Sequence, residues 1–169
     1  MAVPAEAFVQ QSSWANERLI EVCAQLTDEQ LDTVSDGAFG SIRQTLIHML
    51  SAEQYYLHRV GHPQSNESAL VGAFPGFELL SQVARDSGTA FAAAATDPTE
   101  VVVEGTESDE FTSADATVFL VQAVNHSTEH RTQIMTMLTA LGAGPADLDA
   151  QIDGWSWGDA SGALRPKPA

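Results

Sequence analysis

The sequence predicts an all-α fold, a four-helix bundle with a long, partly extended crossover between its third and fourth long helices. Apolar residues recur at three- and four-residue intervals through four separate stretches, the period of a helix with one buried face. Capping and stopping residues bracket those stretches. The one β-branched run, Val101 to Val103, lies between the last two helical patterns and is too short for a sheet of its own.

The first helix is predicted over residues 5–26, with Phe8, Ser12, Ala15, Leu19, Val22 and Leu26 as its stripe and Trp14 and Ile20 beside it. Thr27 to Gln30 is a capping box that opens a short turn of helix. Residues 35–40 are rich in turn formers and read as a loop. Ser41 can then cap a second long helix to about Val60, striped by Ile42, Thr45, Leu46, Met49, Ala52, Tyr56 and Leu57 and stopped by Gly61-His62-Pro63. A loop over 64–76 leads to a third helix, 77–95, through Leu80, Val83, Ala84 and Phe91, with Gly88 an unfavourable residue in its middle. Residues 99–111 read as an extended or hairpin-like excursion, not a helix. Thr112 or Ser113 caps the fourth helix, which runs to Leu141 and stops at Gly142. A short helix over 147–153 follows, and Trp155 and Trp157 are expected to pack the tail back on the body. The whole chain, 1–169, reads as one domain, with 145–169 a C-terminal extension packed on it.

The composition narrows the functional classes. Acidic residues number 23 against 7 basic ones, a net charge of −16. Such a surface repels nucleic acid and anionic membranes, so the expected partner is a small molecule. No apolar run approaches the ~20 residues of a membrane span, and the N-terminus lacks the features of a signal peptide. The single cysteine, Cys23, excludes an internal disulfide and reads as a small buried hydrophobe. A cytoplasmic location fits.

Chemistry concentrates in the histidines. His126 and His130 stand four apart on the inward stripe of the fourth helix, with Phe119, Ala123, Ile134, Met137 and Leu141, and Gln133 beside it. That spacing places both imidazoles on one face, ~6 Å apart along the axis. His48 flanks the stripe of the second helix. Ionisable groups within an apolar stripe need partners, and two explanations stand: hydrogen-bonded core histidines, or a divalent metal held by three imidazoles with one position open. Neutral imidazoles suit Zn, Ni, Fe or Cu. Gln44 and Gln122, one turn before His48 and His126, are candidate acceptors to orient the rings. Glu129 is turned away, and His58 and His62 read as surface residues.

The stretches GSIRQTLIHMLSAEQYYLHRV and NHSTEHRTQIMTMLTALG, with WANERL in the first helix, resemble the DinB-like (YfiT-related) four-helix-bundle superfamily over about residues 5–144. The resemblance implies that His48, His126 and His130 ligate a divalent metal, often nickel or zinc. It implies a metal-dependent enzyme, with thiol S-transferases that use bacillithiol or mycothiol among the assigned activities, a mycothiol-dependent maleylpyruvate isomerase another, and homodimers common. Some members belong to DNA-damage or stress-response sets. A metal-dependent hydrolase and a non-enzymatic metal-binding stress protein are the alternatives. Arg43, Arg59 and Arg131 are the basic residues near these helices that could meet an anionic thiol.

Overall fold

The structure, a computed structural model, describes residues 5–62, 70–96, 100–101 and 114–164. Among the described residues the regular structure is helical except for a two-residue ladder. Four long helices dominate: α1 (Ala5–Cys23), α3 (Ile42–Arg59), α4 (Phe77–Thr96) and α5 (Ala116–Leu141). The short helices are α2 (Asp28–Leu31), α6 (Leu148–Gln151) and α7 (Gly154–Ala160). β1 (Glu100–Val101) pairs antiparallel with β2 (Ala114–Asp115), Glu100 opposite Asp115. Apart from residues 100–101, the expected extended excursion lies outside the described residues, as does part of the 64–76 loop.

Local signals fix the helix starts. Both capping boxes form. Thr27 Oγ1 accepts from the Gln30 N–H at 3.3 Å and Ser41 Oγ from the Gln44 N–H at 3.3 Å, while each glutamine side chain accepts from its cap's backbone N–H. These bonds satisfy N–H groups that a helix start leaves without intrahelical partners. The expected caps of the last long helix, Thr112 and Ser113, lie outside the described residues. Asp115 caps α5 instead, its carboxylate accepting the Thr117 N–H at 2.7 Å. At the other end Gly142 takes the left-handed conformation that closes the helix (φ 60°).

α1 packs mainly on α4 and α3 mainly on α5, with further contacts joining α3 to α4 and α1 to α5. Leu19, Ile20, Ile42, Leu46, Met49, Leu80, Val83 and Ile134 are fully buried between them, each stabilising the fold by about 1.5–3 kcal/mol. The face that α1 buries is rotated from the expected stripe. Phe8 is exposed, whereas Val9, Asn16 and Cys23 are inside, because the helix meets both α4 and α5. Gly88 is buried within α4, and there Ser13 of α1 packs against its backbone: a Cβ on it would lie 2.1 Å from Ser13 Oγ. The unfavourable helix residue is therefore required by packing.

The tail differs from expectation. α7 contains both tryptophans, but Trp155 is 75% exposed. Its attachment runs through Ile152, buried, whose carbonyl accepts from Gln11 Nε2 at 2.9 Å, and through half-buried Trp157 and buried Gly158.

A Gly88→Ala exchange tests the α1–α4 approach. In an unstrained helix it would stabilise by ~1 kcal/mol; here it should lower stability by ~1–3 kcal/mol in urea unfolding. In a Ser13→Gly background, where the clashing atoms are absent, the same exchange should lose that cost.

Candidate metal centre

His48 leaves α3, and His126 and His130 leave α5, on the seam where those helices pack. Their rings converge. His126 Nε2 lies 3.2 Å from His48 Nε2 and 3.1 Å from His130 Nε2. One ligand atom from each residue falls within 4.8 Å of the others. His130 is buried, and His48 and His126 are half-buried, so the cluster closes toward the core and opens on one side. The structure brings together all three histidines expected from the sequence. His58 is exposed and His62 half-buried, and neither joins the cluster.

The proton positions follow from one glutamine. Gln133 Oε1 accepts the Phe39 backbone N–H at 3.2 Å. An amide N–H can only donate, so the atom it faces is oxygen. The same oxygen lies 2.9 Å from His130 Nδ1, which must therefore carry a proton. In the neutral ring, His130 Nε2 then turns a lone pair toward His126 and His48. His126 Nδ1 is buried with no partner. A proton on His126 Nε2 could serve both neighbours only as a shared donor, whereas a cation at the convergence would satisfy all three. With metal–nitrogen bonds of ~2.0–2.1 Å, adjacent ligand nitrogens stand ~2.9 Å apart at right angles and ~3.4 Å apart in a tetrahedron. The two observed separations fall between these limits, so the residues fit a divalent ion.

Aromatic rings wall the cluster. Phe39 stacks on His48 with centroids 3.7 Å apart and planes 6° from parallel, and meets His130 edge-on at 5.9 Å. Tyr56 meets His126 edge-on at 6.0 Å. Phe39 comes from the loop before α3, where Gly37 takes a positive φ of 81° and the Ala38 N–H reaches Ser35 O at 3.1 Å. Only glycine enters that conformation without strain.

Comparison with known proteins fits this site. A match to the DinB family spans residues 1–159. The chain belongs to the DinB family. No curated protein and no solved structure matches it. The family match runs to residue 159, through α6 and into α7, beyond the residues 5–144 over which the sequence shows the resemblance. Among the described residues of this DinB-family chain, no helix is long and apolar enough to cross a membrane.

The residues expected to support the histidines are not the ones that do. Gln44 is spent on the Ser41 cap, and Gln122 is exposed. Gln133 orients His130 instead. Arg131, one of the basic residues that could have met an anionic thiol, is buried. It donates to Asn16 Oδ1 at 2.6 Å, Ser12 Oγ at 3.0 Å, Ser12 O at 3.2 Å and Thr128 Oγ1 at 2.8 Å. Glu53, also buried, accepts from Asn16 and Ser127 at 2.7 Å each. Arg43 pairs with Asp32 and Asp28 and lies over the Phe74 ring. Arg59 lies over Tyr55 and donates to its hydroxyl.

Burial governs the electrostatics. It pushes His126 down to about 4, with His130 and then His48 adding to the shift. His48 is lowered by burial and by His130. Both rings are thus held neutral, the form that binds metal. Burial raises Glu53 against the opposing effects of Ser127, Arg131 and Asn16, and lowers Arg131 to about 10 against the attraction of Glu53. The Cys23 thiol is driven up to about 12 by burial alone.

A pH dependence follows for the metal-stripped protein. His126 has a folded value near 4 against 6.5 for the ordinary side chain. Between those values the unfolded chain binds more protons, so stability rises with pH through that window and falls as pH drops through it. Wild-type protein should lose more stability between pH 7 and pH 5 than His126→Gln does. Equal losses in urea titrations would contradict the assignment.

Proposed function

We propose that this DinB-family chain is a divalent-metal-dependent enzyme on a four-helix bundle of α1, α3, α4 and α5, with His48, His126 and His130 as ligands to zinc or nickel. Its reaction is transfer of a low-molecular-weight thiol, such as bacillithiol or mycothiol, to an electrophile in detoxification or stress response. The observation that carries the reading is the convergence of the three imidazoles, with His130 Nε2 and His48 Nε2 at 3.1 and 3.2 Å from His126 Nε2, open on one side. A divalent ion held there supplies a Lewis acid that acidifies a thiol or a water.

The chain's own residues define the rest. Gln133 keeps the His130 lone pair turned inward, and Phe39 holds the plane of His48. Phe39 and Tyr56 line the cluster with aromatic surface, suited to an apolar electrophile. Cys23 is fully buried with its thiol near 12, so the reacting sulfur comes from a separate molecule. We read the protein as a single domain over 1–169, acting as a cytoplasmic homodimer on small molecules. The net charge of −16 disfavours nucleic acid and anionic membranes.

Hydrolysis is the second reading. Arg43 is held by Asp28 and Asp32, Arg131 is buried in a network of its own and Arg59 donates to the Tyr55 hydroxyl, so each arginine that could have met an anionic thiol has partners within the chain. Activation of water needs none of them.

Protein purified without a histidine tag should carry a metal; fewer than about 0.2 ions per chain would overturn the site, since a folded three-ligand centre retains its ion. The loaded protein should accelerate conjugation of a model electrophile by one thiol among bacillithiol, mycothiol, coenzyme A and glutathione. Alanine at His48, His126 or His130 should cut that rate by more than about 100-fold, beyond the 10–100-fold that orienting partners are worth, with the helices still folded by circular dichroism. Ester turnover without any thiol would select the hydrolase.

A further inference from the structure

The geometry points to Gln133 as a positioning residue that joins the metal centre to the loop before α3. This rests on the metal reading of the three histidines. Gln133 sits three residues after His130, on the next turn of α5. Its Oε1 accepts from His130 Nδ1 at 2.9 Å and from the Phe39 N–H at 3.2 Å, and its Nε2 donates to Gly37 O at 3.4 Å. Every polar atom of the side chain therefore has a stated task.

Two of the three ligands depend on that arrangement. His130 is touched directly: with the proton fixed on Nδ1, the lone pair on Nε2 faces the cluster. His48 is touched through Phe39, whose amide Gln133 holds and whose ring stacks on the His48 imidazole at 3.7 Å. The loop is otherwise anchored by the Ile42 N–H to Thr33 O, 3.2 Å, and by the turn from Ser35 to Ala38. Both bonds stay within the loop or at its base, so Gln133 supplies the hydrogen bonds that tie its tip to α5, beside the edge-on contact of the Phe39 ring with His130. A side chain that binds a ligand and a loop together couples them. An ion that stabilises the inward-facing His130 strengthens the hold on Phe39, and by reciprocity the ordered loop strengthens ion binding.

The test uses cobalt(II) as the probe ion on the full chain, with wild type, Gln133→Leu and Gln133→Glu. Leucine keeps the bulk and removes both acceptor and donor. Glutamate keeps an oxygen that accepts from His130 and from Phe39. We expect Q133L to bind cobalt 10–100-fold more weakly with an altered visible spectrum, and Q133E to recover most of the affinity. Nitrogen NMR of metal-free wild type should show the His130 proton on Nδ1, and Q133L should show it redistributed. Cobalt should slow exchange of the Phe39 amide in wild type and leave it unchanged in Q133L. If Q133L does not fold, the Phe39 exchange in wild type and the affinity of Q133E still decide the matter. Wild-type protein that binds no cobalt overturns the metal reading and this role together. Wild type that binds, with Q133L equal to it in affinity and spectrum or with Phe39 exchange insensitive to cobalt, overturns the role of Gln133 alone.

Discussion

A guanidinium held away from water constrains this fold more than any other group. Removing a charge from solvent costs several kcal/mol unless its donors are answered, and Arg131 is answered only if three helices stand in one relation. Its partners Ser12 and Asn16 belong to α1 and Thr128 to α5; Asn16 passes the chain of bonds to Glu53 on α3, and Ser127 returns it to α5. Rotating any of the three helices would strand a buried polar group. Ser127 and Arg131 each follow a histidine by one position, about 100° around the helix. The network that fixes how α5 faces α1 therefore also fixes His126 and His130 toward α3.

The histidine cluster shows the complementary economy. Burial suppresses protonation of His48 and His126, which removes the charge repulsion that imidazolium rings at 3 Å would suffer. The same burial leaves lone pairs and protons that must be shared within the cluster or directed outward to Gln133. The aromatic walls exclude water from two sides without competing for those nitrogens. Nearby, buried Gln54 donates to Ser87 at 2.6 Å and links α3 to α4, so the α1–α5, α1–α3, α3–α5 and α3–α4 pairs each carry a polar bond that specifies register as well as apolar burial.

Much of this is legible in the sequence, and the illegible part has a common cause. The four long helices and both capping boxes follow from period and cap chemistry, which are local. The three histidines stand out because polar side chains interrupt an apolar stripe at i and i+4. Arg131 and Glu53 do not stand out, since a charged residue beside a stripe reads as solvated until a partner on another helix is known. The rotation of α1 away from Phe8 has the same origin: Asn16 counts as polar by type yet sits at the centre of the interior. Gln133 lies beside the stripe in sequence, but its value comes from Phe39, 94 positions away. Phe39 itself sits in a turn-rich loop with no periodicity to mark it. Gly88 reads as a flaw in a helix and proves to be the point where Ser13 fits.

The seclusion of Cys23 has a practical side. With its sulfur wholly inside the main hydrophobic core and its thiolate inaccessible at physiological pH, the folded protein presents no sulfhydryl to a reagent. Any thiol consumed in a mixture containing this protein can be counted as the small molecule's own, and reagents that report free sulfhydryls read it without a background from the protein. Appearance of a reactive thiol becomes, conversely, a signal that the core has opened.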